Sequence, residues 1–385
     1  MTFIEDRILM HLHKRKRARH RTRKSFNTLE VMMILCEKPG FMCVPIAVLT
    51  VSCFLLTVVC GQAEAASLIA RDLQLQPVEF AQLPASARAT ALASADFDED
   101  GVPDLVVGIS GGSFGVVVVY PGNLDSIYPN GPQARARRAA GMFSEQPFHP
   151  AVDVVSLALV PEMMVTGDFD NDGHWDLAVT ARGEDRIEWL RGDGSGRLTS
   201  ADPVPLPGKL TAMIEGDVNR RDGMTDLIVA VARDGVAELL VFESPLGALR
   251  GAPEIHRVPA PATDLATGFF GSLTPSIAAV AGSELVIVHG RDRRLTHAGI
   301  LRATVAPARV DTIDLRAAGI AIASPRVEDG PWQDLLVLLA NGDIARVSGN
   351  RPGAIPTGGP ITVYTGRQHR FSPDARLVAA KCSVK

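Results

Sequence analysis

The sequence predicts an all-β chain, a β-propeller of four-stranded blades, about five to seven in number, either closed into a ring or left as an incomplete, truncated array. Three observations predict it. An acidic loop motif recurs at intervals near 50 residues, the mark of a repeat architecture. Each interval holds about four short runs with strand patterning. No clear helical periodicity follows Ala66.

Taken in order, residues 1–65 form one unit and residues 66–385 another. His11 to Lys24 carries eight Lys or Arg, and a mostly apolar run follows from Phe41 to Val59. Ala63-Glu64-Ala65 then offers a small-x-small site. A basic flank, an apolar core and such a site make a secretory signal cleaved near Ala65. The apolar run is also long enough to remain as a single-pass membrane anchor. Either way the repeat region is exported, to a secreted, cell-surface or periplasmic location. A start at Met32, Met33 or Met42 removes most of the basic run. Four of the five cysteines, Cys36, Cys43, Cys53 and Cys60, lie in this segment. Only Cys382 follows, so the cleaved product has no internal bridge.

Composition excludes several functions. The whole chain has a net charge of −4. The first 65 residues hold 10 Lys/Arg and 5 Asp/Glu, which leaves 29 against 38 and a net of −9 beyond them. That balance gives nucleic acid no electrostatic footing. Three Trp and three Tyr are too few for an aromatic stacking surface.

The repeat begins with Ala95 to Gly108, ADFDEDGVPDLVVG. Gly167 to Thr180 reads GDFDNDGHWDLAVT, and Gly216 to Ala230 reads GDVNRRDGMTDLIVA. Each is an Asp-rich turn followed by Asp-Leu and an apolar, β-branched run. Two faded copies follow, TGFFGSLTPSIAAV from Thr267 and SPRVEDGPWQDLLVL from Ser324, the latter keeping Asp329, Gly330 and Asp334-Leu335. Motif starts near 96, 168, 217, 268 and 324 are separated by 72, 49, 51 and 56 residues. The long first interval implies an insertion around Tyr120 to Pro150. In the second unit Asp176–Thr180 and Arg186–Leu190 read as strands, 192–196 as a turn, and Pro203–Leu206 as part of an edge strand that tolerates proline. Leu377–Ala380 echoes the approach to the first loop, and Leu75–Leu83 resembles the last strand of a unit. Those two ends either complete one shared blade or belong to a longer array.

The D-x-D-x-D-G-x-x-D-L loops at this spacing resemble the FG-GAP/VCBS repeats of integrin-α-like propellers, over roughly residues 80–380. The resemblance implies calcium bound in the loop between two strands of a blade. It also implies an adhesion or ligand-binding platform with an unidentified protein or glycan partner. Integrin-like propellers have seven blades.

The residues themselves suit calcium, a hard ion taking six to eight oxygens at about 2.3–2.6 Å. The first loop offers Asp96, Asp98, Asp100, the Val102 carbonyl and Asp104, turning at Gly101. The second offers Asp168, Asp170, Asp172, the His174 carbonyl and Asp176, turning at Gly173. Four carboxylates within nine residues repel one another unless a cation joins them. A third set, Asp217, Asn219, Asp222 and Asp226, carries one inserted residue and Arg221 at the fifth position, which weakens it. A metal-free Asx turn is the competing reading of each loop. Extracellular sites as weak as roughly 10⁻⁴–10⁻³ M still fill. The expected ion is structural, because no His is placed to complete an open catalytic site.

Other signals carry less. Gly108 to Gly112 matches G-x-S-x-G, but the strand-like GVVVVY at Gly115–Tyr120 follows where a nucleophile elbow needs a helix. Arg191-Gly192-Asp193 is an RGD tripeptide in an expected exposed turn. Trp175, Trp189 and Trp332 are expected in blade packing. The function expected is a calcium-stabilised binding, adhesion or protein-interaction module without catalysis. Its alternatives are a hydrolase or lyase with a site in the central channel, and a fragment of a larger surface protein. Membrane contact is confined to the N-terminal apolar segment.

Overall fold

The computed structural model describes residues 83–150, 153–219, 223–243, 246–291, 293, 306–326 and 332–349, together with the strand at 361–364. The N-terminal 65 residues, Arg221, Asp222, Asp329, Gly330, Leu377–Ala380, Cys382 and most of Leu75–Leu83 lie outside them. Among the described residues no helix is long and apolar enough to cross a membrane.

Five antiparallel sheets follow one another along the chain. The first holds β1 (Arg88–Ala95), β2 (Asp104–Ser110), β3 (Gly115–Tyr120) and β4 (Asp153–Leu157). The second holds β5 (Met163–Gly167), β6 (Asp176–Thr180), β7 (Arg186–Gly192) and a split edge, β8 (Leu198–Ser200) and β9 (Val204–Pro205), both paired with β7. The third runs β10 (Lys209–Gly216), β11 (Asp226–Arg233), β12 (Val236–Phe242) and β13 (Glu254–Val258). The fourth runs β14 (Ala262–Gly268), β15 (Ser276–Ala281), β16 (Glu284–Val288) and β17 (Val310–Asp314). The fifth is β18 (Gly319–Ala323), β19 (Leu335–Leu339), β20 (Ile344–Val347) and β21 (Ile361–Tyr364). Each is a meander in sequence order, as a propeller blade requires. The first strands lie side by side, β1 against β5, β5 against β10, β10 against β14 and β14 against β18. The sheets do not close into a ring among the described residues.

The middle strands explain the continuous apolar runs of the sequence. In β3, β6, β15 and β19 every residue is buried, because each sheet is covered on both faces. Alternate side chains of one strand therefore feed opposite seams. Leu227, Val229 and Val231 of β11 pack with Phe169 and Ile187 of the second sheet. Ile228 and Ala230 of the same strand pack with Ala279 and Val286 of the fourth. Similar seams join the first sheet to the second and the fourth to the fifth. First strands are less buried, and four of them carry a register shift near the start, at Ala89/Ala91, Leu210/Ala212, Ala262/Asp264 and Gly319/Ala321.

The expected strands at Asp176–Thr180 and Arg186–Leu190 are β6 and most of β7. The insertion expected around Tyr120 to Pro150 is present and lies outside the strand pattern. It forms two short helices, α1 (Leu124–Ile127) and α2 (Pro132–Ala139). The Asn123 side chain caps α1 by accepting from the Asp125 N–H at 3.0 Å. In α2 Pro132 occupies the first turn and Ala and Arg follow, all compatible with helix. Eight residues are too few to display a 3.6-residue period. Arg137 grips the buried Asp125 and ties the two helices together.

Phe169 is fully buried between the second and third sheets. Phe169→Ala is expected to cost about 3–5 kcal/mol, read from urea denaturation. A loss under about 1 kcal/mol would show that this seam does not carry the fold.

Candidate metal centres in the Asp loops

The acidic loops connect the first and second strands of their sheets. In the first loop Asp96, Asp98 and Asp104 each place an oxygen within 4.8 Å of the others. In the second, Asp168, Asp170 and Asp176 do the same. Each focus thus holds three carboxylates rather than four. Asp100 and Asp172 turn back on the chain, accepting from the N–H of Val102 at 2.8 Å and of His174 at 3.0 Å. The competing Asx-turn reading therefore describes the fifth position of each loop, while the first, third and ninth converge. Val102 is buried. The His174 side chain leaves the second loop, and its Nδ1 lies 2.6 Å from Glu99 Oε1 of the first.

Backbone shape produces this convergence. Glu99 and Gly101 have φ of 56° and 89°, and Asn171 and Gly173 have 59° and 94°. The left-handed turn aims two N–H groups at the first carboxylate. Asp96 accepts from Asp100 and Gly101 at 3.1 and 2.9 Å. Asp168 accepts from Asp172 and Gly173 at 3.0 and 2.9 Å. Glycine at the sixth position meets no steric cost there.

The ninth position has a second duty. Asp104 accepts from the Phe97 N–H and the Gly122 N–H, each at 2.8 Å. Asp176 accepts from Phe169 at 3.2 Å, Gly192 at 3.0 Å and the Trp189 indole at 3.1 Å. Both are fully buried, and burial pushes each carboxyl up from 3.8 to about 6, against the pull of those hydrogen bonds. Asp98 is also raised, by burial first and then by Asp100 and Asp96.

In the third loop Asp217 accepts from Gly223 at 3.0 Å, and Asp226 accepts from Val218 at 2.9 Å. Asn219 does not join them. Asn219 itself has a left-handed φ of 58°. Its amide instead donates to Glu243 at 3.1 Å. Arg293 binds both Glu243 and Glu254, and Arg291 binds Glu254. Burial opposes ionisation of Glu254, yet His256, Arg291 and Arg293 hold its pKa at about 2. Among the described residues no third carboxylate focus forms.

Sequence reasoning missed four participants. Trp189 packs in the seam as expected, and it also donates to Asp176. Arg191 and Arg250 both reach Asp170, at 2.5 and 2.8 Å. The fourth is a glycine closing the third strand of four sheets, Gly122, Gly192, Gly290 and Gly349. Its N–H meets the ninth-position side chain, which is Ser276 in the fourth sheet and Asp334 in the fifth, at 3.0 Å in both. A Cβ on Gly192 would lie 2.0 Å from the Trp175 carbonyl, and one on Gly349 1.8 Å from that of Gln333. This recurring glycine was visible in the sequence. The RGD tripeptide is absorbed here, since Gly192 ends β7 and Arg191 faces Asp170. G-x-S-x-G is the β2–β3 hairpin. Trp175 is part-exposed rather than packed away.

Asp176→Ala is expected to lower stability in chelator by about 3 kcal/mol or more, because three donors lose their acceptor. Asp172→Ala, at an exposed turn, is expected to cost under about 1 kcal/mol. Equal losses in denaturant titrations would refute the closing role of the ninth position.

Residues 168–229 match the FG-GAP-like repeat family, a span running from the second loop through the third and into β11. No curated protein matches the chain. Among solved structures, two crystals of BBS1N in complex with ARL6DN, soaked with mercury and with lead, are 13% identical, with TM-scores of 0.37 and 0.35. They cover 75% of this chain and 88% and 89% of theirs. The chain therefore carries an FG-GAP-like repeat at residues 168–229, set within a series of four-stranded propeller-type sheets.

Proposed function

We propose that this chain is an exported β-propeller, stabilised by calcium in its first two Asp loops, that serves as a protein-interaction module. One observation carries the calcium reading. Two loops each gather three carboxylate oxygens within 4.8 Å. Oxygens about 2.3–2.6 Å from one ion stand no more than about 5 Å apart. In the second loop Asp170 Oδ1 is buried and has no hydrogen-bond partner, a costly state that an ion would relieve. Asp96, Asp98 and Asp104, and Asp168, Asp170 and Asp176, would hold the ions. The role is structural: the ion would neutralise the loop and fix the link between two strands.

The export part of the reading is supported by the basic flank, the apolar run from Phe41 to Val59 and the Ala63–Ala65 site. The interaction role is supported by the FG-GAP-like repeat and the propeller-type sheets, and a cavity of about 260 Å³ lies on the side of the first strands, lined by Thr90, Glu162, Arg182, Asp264 and three methionines. Its polar groups are held by backbone. Arg182 donates to the carbonyls of Thr211 and Thr263, and Asp264 accepts from Ile322 at 3.0 Å.

Calorimetry of the full chain is expected to show two calcium ions per chain, and chelator is expected to lower its melting temperature. Asp98→Asn and Asp168→Asn should each remove one ion. Absence of heat in the unmodified chain, with no melting shift, would discard the calcium reading. The pH dependence has a definite sign. Asp104 and Asp176 sit at about 6 in the fold and at about 3.8 when exposed. Their contribution to the chelated chain is fully present below pH ~4 and is lost as pH rises through ~6. Calcium needs the ionised form, so its stabilising increment is expected to be large at about pH 7.5 and to shrink at about pH 5.

A further inference from the structure

The two foci differ in what surrounds them. Asp170 lies in the second focus with its side chain only 1% exposed. Its Oδ2 is 2.5 Å from Arg191 and 2.8 Å from Arg250. Arg191 also reaches Asp172 at 3.1 Å. Arg191 belongs to β7 of the same sheet. Arg250 comes from the β12–β13 connection of the third sheet, and the Leu249 N–H donates to the Phe169 carbonyl at 3.1 Å. Both guanidinium groups lie over the Trp189 ring, at 5.7 and 5.1 Å from its centre. The position is thus held by packing as well as by charge. Among the described residues, no arginine or lysine pairs with Asp96, Asp98 or Asp104 of the first loop.

A divalent ion at the second focus would sit within a few ångströms of two guanidinium groups that share one of its ligands. Like charges at that separation repel, and the carboxylate cannot give its full field to both. The Asp170 oxygen without a partner still offers the ion a way in.

We propose that Arg191 and Arg250 are built-in competitors of the cation at the second loop. They hold its calcium affinity below that of the first loop, and they make ion loading antagonistic to the clasp between the second and third sheets. The antagonism runs both ways, because a contact that weakens the ion is weakened by it in equal measure. This rests on the calcium reading above. It assigns the affinity of that site to two residues outside the loop motif, one of them from another sheet.

The test is calcium titration of the full chain by calorimetry, with Asp98→Asn silencing the first loop. Arg191→Met and Arg250→Met keep the apolar stems over Trp189 while removing the charge. The double substitution is expected to tighten the second site about tenfold or more, and each single one by less. Calcium bound at the second loop only after the arginines are removed supports the same conclusion. In the unsilenced chain the first site should be the tighter one. An unchanged or weaker second site in the double variant, in a chain that binds calcium at both loops, overturns this inference alone. If the unmodified chain shows neither calcium heat nor a melting shift, the calcium reading itself falls and the inference with it. Asp96→Asn replaces Asp98→Asn if the latter melts early, and circular dichroism melts in chelator show that each variant is folded.

Discussion

One buried acceptor at the start of the second strand organises each blade. Asp104 and Asp176 each take an N–H from the acidic loop and another from the end of the third strand. Three consecutive strands are thereby pinned at one point. A buried N–H without an acceptor is costly, so this point has little freedom to vary. Where the aspartate is absent the geometry is kept by other means. Ser276 takes the Gly290 N–H, and Gln333, reaching from the fifth sheet, takes the N–H of Phe269 in the fourth. The glycine opposite follows from the same constraint, since no Cβ fits against the carbonyl it meets.

Burying an acid there creates an electrostatic problem, and the sheets answer it differently. In the first loop the carboxylates face one another without a basic partner among the described residues, and Asp98 is raised by burial first and then by Asp100 and Asp96. In the second, Arg191 and Arg250 share Asp170. In the third, an Asn replaces one acid, and Glu243, Glu254, Arg291 and Arg293 form a separate network beside it. The fourth loop carries no acid, and in the fifth Arg346 meets Asp334 at 2.9 Å. The degeneration of the motif along the chain is thus an exchange of loop carboxylates for neutral or arginine-paired groups. Seam packing, which depends on apolar side chains from both sheets, is unaffected by that exchange.

Much of this was legible from local pattern. The runs after each Asp-Leu pair are apolar and β-branched over five to eight residues, and they became β2, β6, β11 and β19. The hairpin at Ser110–Gly115 was legible because a strand-like run follows the glycines. The helices of the insertion were not, being shorter than the pattern needed to reveal them. Asp100 and Asp172 looked equivalent to their neighbours in sequence. Only the left-handed residues at 99 and 171 decide that they turn outward.

The sequence by itself determined the all-β class, the repeat spacing and the acidic loops, because strand alternation and turn chemistry act over a few residues. Tertiary structure decided which three oxygens converge, where Asn219 points, and that Arg250 meets Asp170 across 80 residues of chain. Those contacts depend on how one sheet lies against the next, and no local pattern encodes that distance.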